Sequence, residues 1–224
     1  MRLNANFAER AVVHAERLPW VASPVIGVDR RMLDRIGDEV ARATSIVRYA
    51  PGSAFSPHVH TGGEEFLVLE GVFQDEHGDY PVGSYIRNPP QTSHTPASIA
   101  GCTIFVKLWQ FNPDDRTSVH VDTALADWQR DKTRSGVETI MLHEDEQEHV
   151  CLENWSAGLR IELCASGGLE LLVLDGGFEY SGDVFVVNSW LRMPSDSLST
   201  VEVGEQGAKV WIKRGHLAYA CAPG

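Results

Sequence analysis

The chain has 224 residues, 43% hydrophobic and 22% charged, with a formal net charge of -12. That balance suits a globular protein with one large or two compact domains. It excludes a basic nucleic-acid surface, because no Lys/Arg cluster is present, and no apolar run approaches the length of a membrane span.

The opening stretch "MRLNANFAERAVVHAERLPW" is interrupted by Glu9 and Glu16 and has no apolar signal core, so a cytoplasmic location is expected. Cys102, Cys151, Cys164 and Cys221 are scattered without a Cys-x-x-Cys pair, the pattern of reduced, buried small residues.

Taken in chain order, "DRRMLDRIGDEVAR" (29–42) has a helical spacing of apolar residues. "ATSIVRY", "EFLVLEGVF" and "CTIFVKLWQF" follow as short segments rich in Val, Ile, Leu and aromatics, and each reads as a strand. Asn112, Pro113, Asp114 and Asp115 break that pattern, which places a domain join there, and "ALADWQRDK" (124–132) has a second helical spacing. Strand segments then resume in "GLELLVL", "DVFVVNSW" and "AKVWIK". The expectation is an all-β chain of two tandem barrels, 1–115 and 116–224.

An internal repeat supports the division. "TGGEEFLVLEGVF" (61–73) and "SGGLELLVLDGGF" (166–178) share eight of thirteen positions at an offset of 105. The same offset aligns "SYIRNPPQTSH" (84–94) with "SWLRMPSDSLS" (189–199).

The first copy carries a possible metal-ligand set. His58 and His60 flank Val59, so strand alternation puts both imidazoles on one side. Glu64 follows the Gly62-Gly63 turn, and His94 lies beyond the next hairpin. Three imidazoles and a carboxylate suit one divalent transition metal, with zinc, iron, manganese and nickel all compatible. In the second copy Leu163, Ala165, Leu169 and Ser199 stand in their places, whereas Arg87, Lys107 and Glu65 recur as Arg192, Lys213 and Glu170. Four groups lost together point to one shared purpose. Glu65, which persists, is assigned to the fold, and so are Arg87 and Lys107. Tyr49 and Tyr85 read as core residues, His77 as a solvated hairpin tip, and "HEDEQEH" (143–149) as a solvated acidic run.

Gly52, His58, His60, Glu64 and Gly71 fit the first cupin motif, and Gly83, Pro89 and His94 fit the second, with Gln91 in place of its second glycine. The first half therefore resembles a cupin. Within that superfamily, residues 20–112 resemble the C-terminal cupin domain of ChrR-type anti-sigma factors. That resemblance implies a jelly-roll barrel, a metal that is usually zinc on His58, His60, Glu64 and His94, and a link to singlet-oxygen or peroxide stress. The Cys-x-x-Cys of the family's sigma-clamping domain is missing, so a sigma-factor partner is not expected. Three readings stay open: a sensor or regulatory protein, an iron dioxygenase acting on a small diketone or aromatic ketone, and a scaffold with structural zinc. Enzyme status is undecided, a small-molecule ligand and a homodimer are compatible, and no nucleic-acid or membrane partner is expected.

Overall fold

The structure is a computed structural model that describes residues 1–38 and 40–220; Glu39 and Cys221, both within stretches considered above, lie outside the described residues. The described chain is almost wholly β and forms two compact units.

In the first unit, the strands Val28–Gly37, Ala41–Tyr49, Cys102–Leu108, Glu64–Asp75, Ser84–Asn88 and Val119–Asp122 lie side by side in that order. A two-stranded sheet, His58–Val59 with Ser93–His94, sets His94 directly opposite His58. In the second unit the equivalent order is Val137–Glu144, His149–Trp155, Ser197–Arg214, Leu169–Tyr180, Ser189–Met193 and Ala11–His14. A bulge falls at the same place in both, between Met32 and Asp34 and between Met141 and His143. The repeat seen in the sequence is thus a repeat of sheet topology.

The units do not divide the chain at 115. Residues 18–125 belong with 1–5, and residues 6–17 belong with 126–220. Two edge strands account for the difference. Val119–Asp122 pairs with Ser84–Asn88, placing Ser84 opposite Asp122, while Ala11–His14 pairs with Ser189–Met193, placing Ser189 opposite His14. His14 Nδ1 meets Ser189 Oγ at 2.9 Å, which fastens the early strand to the second sheet. Each of these sheets thus ends on the strand that precedes the other barrel in the chain, a short edge strand of four residues.

Both expected helices are absent. The described residues of 29–42 fall in the strand Val28–Gly37 and the start of Ala41–Tyr49, while 124–132 is irregular apart from the short strand Gln129–Arg130. Cross-strand partners override the helical spacing. Asp29 pairs with Arg48 at 2.8 Å, the buried Asp34 lies 3.6 Å from Arg42, and the Arg31 guanidinium sits 4.3 Å from the Trp20 ring centroid. The described helical residues are two short 3-10 turns, Ala15–Arg17 and His216–Tyr219. Among the described residues no helix is long and apolar enough to cross a membrane.

Cys102 and Cys151 are buried as expected, and burial raises the first thiol and pushes the second up to about 12, which keeps both protonated. Cys164 is exposed, contrary to expectation, because Leu163 and Ala165 take the inward positions of the strand Arg160–Ala165.

Within each unit one face of the central strands is apolar and the other carries buried charge. Val47, Phe66, Val68, Phe73, Ile104 and Val106 form the interior of the first barrel. On the opposite face Glu65 lies directly between Arg87 and Lys107, and Glu170 between Arg192 and Lys213, with all six side chains buried. Tyr85 donates to Glu65 at 2.8 Å, and Arg87 pairs with Asp115 while covering the Phe111 ring. These charges, assigned to the fold from the repeat, sit in mid-sheet.

Candidate metal centre

Gly62 and Gly63 turn the chain between His60 and Glu64. Gly63 has φ +77°, and a Cβ there would come within 2.4 Å of the Phe111 ring, so only glycine permits this close turn. The turn brings Glu64 back beside the histidines on the cavity side, opposite Asn88 and Leu108 on the flanking strands.

The four residues picked out by the sequence meet. Ring nitrogens of His58, His60 and His94 all lie within 4.8 Å of one another, and Glu64 Oε2 is 3.5 Å from both His60 Nε2 and His94 Nε2. Ligand atoms about 2.1 Å from a shared tetrahedral zinc stand about 3.4 Å apart, so these separations fit. His60, Glu64 and His94 are buried, while His58 is exposed, which leaves one flank of the cluster open. His60 Nε2, Glu64 Oε2 and His94 Nε2 are all buried without a hydrogen-bond partner. Three converging, unsatisfied atoms are costly unless something binds between them. The donor set fits a divalent transition metal.

Electrostatics agree. Burial, with a smaller contribution from His58, draws His60 down to about 4, and burial lowers His94 as well. Burial raises the Glu64 carboxyl despite the nearby imidazoles. Each group is pushed towards its neutral form, and a cation among them would reverse the penalty on the carboxylate while using the neutral imidazoles as donors.

A pH dependence follows. Between the ordinary 6.5 and the folded value of about 4, His60 binds more proton in the unfolded chain than in the folded one. Metal-free protein should therefore lose stability as pH falls through that window. Melting curves of chelated wild type and His60→Ala across it check this, and the variant should show the shallower loss.

Two supporting residues were not singled out in the sequence. Asp75 Oδ2 lies 3.2 Å from His94 Nδ1, and Asp75 Oδ1 accepts from Tyr80 Oη at 3.2 Å and from the His77 amide at 2.8 Å. This carboxylate holds a proton on His94 Nδ1 and so keeps Nε2 as the lone-pair donor. Asn88 hydrogen-bonds the Glu64 side chain. The signal was present in the repeat: at the offset of 105, Asp75 becomes Tyr180 and Asn88 becomes Met193. Tyr180 instead meets Ser199 at 3.0 Å, the pair replacing Asp75 and His94. Asp75→Asn should weaken metal binding about 10–100-fold, measured by competition with a chromophoric chelator, with folding intact by circular dichroism.

In the second unit, Leu163, Ala165 and Leu169 are fully buried in an apolar interior that includes Leu171, Phe178 and Met193. A different group there, His143, Asp145 and Glu148, also clusters. It satisfies itself: His143 Nε2 meets Asp145 at 3.1 Å, Asp145 accepts the amides of Gln147 and Glu148, and Glu148 pairs with Lys213 at 2.8 Å. None of its atoms is among the buried ones lacking a partner. His77 is exposed, as expected of a hairpin tip, and Tyr85 faces Glu65 rather than the cavity. Tyr49 faces the cavity, packing on Phe55 and Phe73 at 5.2 and 5.8 Å, and Phe73 in turn lies 5.7 Å from the His94 ring.

Residues 8–112 match the family model of the ChrR Cupin-like domain. The first half is a ChrR-like cupin domain. Among solved structures, a candidate dioxygenase from Nostoc punctiforme is similar with a TM-score of 0.76 at 14% identity, over 96% of this chain and 86% of that one. The Escherichia coli pirin YhhW in complex with nickel(II) gives 0.64 at 14%, over 92% and 99%. A cupin 2 conserved barrel protein from Leptotrichia buccalis gives 0.60 at 11%, over 91% and 95%. At these identities the likeness establishes the cupin fold, and it spans both halves. No curated protein sequence matches the chain.

Proposed function

We propose that this bicupin holds one divalent transition metal on His58, His60, Glu64 and His94 and uses it to sense small oxidants, the role the ChrR resemblance implies. The observation that carries the reading is the convergence of three buried, partnerless atoms beside an exposed histidine. A buried structural zinc site would be closed on all sides, whereas this cluster has an open flank at His58.

His58, His60, His94 and Glu64 hold the ion, Asp75 fixes the His94 tautomer, and Asn88 orients Glu64. Phe73 and Tyr49 supply an apolar wall that limits water. A bound divalent ion would add Lewis acidity or, as iron, oxygen chemistry. Singlet oxygen from a photosensitiser, or an organic peroxide, should alter the visible spectrum of cobalt-substituted protein or release the ion. An unchanged spectrum with full metal retention at oxidant excess would count against sensing.

A second reading, a dioxygenase cleaving a small diketone or aromatic ketone, is favoured by the same open flank and by the likeness to the Nostoc structure. Oxygen uptake by the iron(II) form with small β-diketones distinguishes it from sensing, since a sensor shows no turnover.

A further inference from the structure

Arg30 is an inward-facing cation that the metal reading leaves unused. It lies on the strand Val28–Gly37 directly opposite Val47, a member of the apolar interior that also contains Phe73, the ring beside His94. Its neighbours Asp29 and Arg31 face the other way, towards Arg48 and Trp20. Alternation therefore turns Arg30 into the barrel. The residue is half-buried, and its Nε is buried with no hydrogen-bond partner. The acids of its own strand are engaged elsewhere, Asp29 with Arg48 and Asp34 with Arg42. A buried Nε without a partner is costly to keep unless something complements it.

The repeat bears on this independently. The shared bulge and the pairing of Val28 with Tyr49 and Val137 with Trp155 align Arg30 with Thr139. The half that lacks the histidines thus lacks this cation too. Opposite Thr139 stands Glu153, which is bound by Arg134 at 2.9 and 3.0 Å and by Arg214 at 2.9 Å. In the second barrel, then, buried charge is neutralised internally; in the first, Arg30 faces Val47.

Resting on the proposed metal site, we infer that Arg30 receives the carboxylate of a small organic acid that enters the first barrel. The charge inventory sets the class. Arg30 carries a fixed positive charge and the acids of its own strand are engaged with other arginines, so its complement is an anion. A guanidinium presents a planar fork that matches the two oxygens of a carboxylate.

The test uses the full chain loaded with zinc, titrated calorimetrically with acetoacetate and with its uncharged methyl ester. Arg30→Gln should weaken acetoacetate binding at least about ten-fold while leaving the ester's affinity and the metal content as in wild type. Arg30→Lys should fall between the two. Equal acetoacetate affinity in wild type and Arg30→Gln, or no acetoacetate binding by zinc-loaded wild type, overturns the assignment. Failure of wild type to hold zinc at all would instead overturn the metal site on which it rests.

Discussion

His60→Ala should leave the purified protein with little or no bound metal and lower its melting temperature. His60 and His94 present partnerless Nε2 atoms to the same Glu64 oxygen, so removing one imidazole leaves too few donors. An ion at 100 times its dissociation constant stabilises the folded form by about 2.7 kcal/mol. In a chain of this size that corresponds to roughly 5–10 °C. Chelation of wild type should reproduce most of the fall, and in excess chelator the gap between the two proteins should close. If chelator leaves the wild-type melting temperature unchanged, no ion contributes to stability.

Glu65→Ala should have the opposite profile: metal retained, stability strongly reduced. Glu65 is adjacent to the ligand Glu64 in sequence but faces away from it, between Arg87 and Lys107 and under the Tyr85 hydroxyl. Removing the anion leaves two buried cations facing each other, a change that costs about 3–5 kcal/mol. Glu64→Gln, by contrast, should lose metal and cost far less in the chelated state, because its folded carboxyl is already pushed towards neutrality by burial. Metal per chain and denaturant midpoints for the two variants make the comparison. Equal metal loss in both would mean that the sheet faces have been assigned the wrong way round.

The four candidate ligands were legible because a local pattern, His-x-His with a glycine turn and a glutamate, fixes their side of the strand, and the repeat showed them vanishing together. Asp75, Asn88 and Arg30 were missed because nothing local marks them. Each is polar at an inward position of a strand, which the register of its neighbours reveals and which, for Asp75 and Asn88, the repeat also marked by their replacement with Tyr180 and Met193. The helical reading of 29–42 failed for a related reason. The apolar residues there have a spacing that suits a helix, yet Arg31, Asp34 and Arg35 find the partners of a sheet: the Trp20 ring, Arg42 across the hairpin and Leu3 on a neighbouring strand. Likewise the two edge strands, Ala11–His14 and Val119–Asp122, have no local mark of which sheet they complete. That choice is made by long-range pairing, which spacing along the sequence does not encode.

The second barrel makes the contrast physical. With Leu163, Ala165 and Leu169 in place of the ligands and Met193 in place of Asn88, its interior closes as an apolar core. Among the described residues none of the four places of the ligands holds an imidazole or a carboxylate, and the acidic group near His143 is already satisfied by Lys213 and its own turn.

Elemental analysis of anaerobically purified protein, paired with an anomalous-scattering map at the absorption edge of the ion found, tests this most directly. The expected result is one ion per chain, bounded by the imidazoles of the first barrel and the Glu64 carboxylate. A second tightly held ion beside His143, or a first-barrel map with no peak and the three rings turned apart, would contradict it.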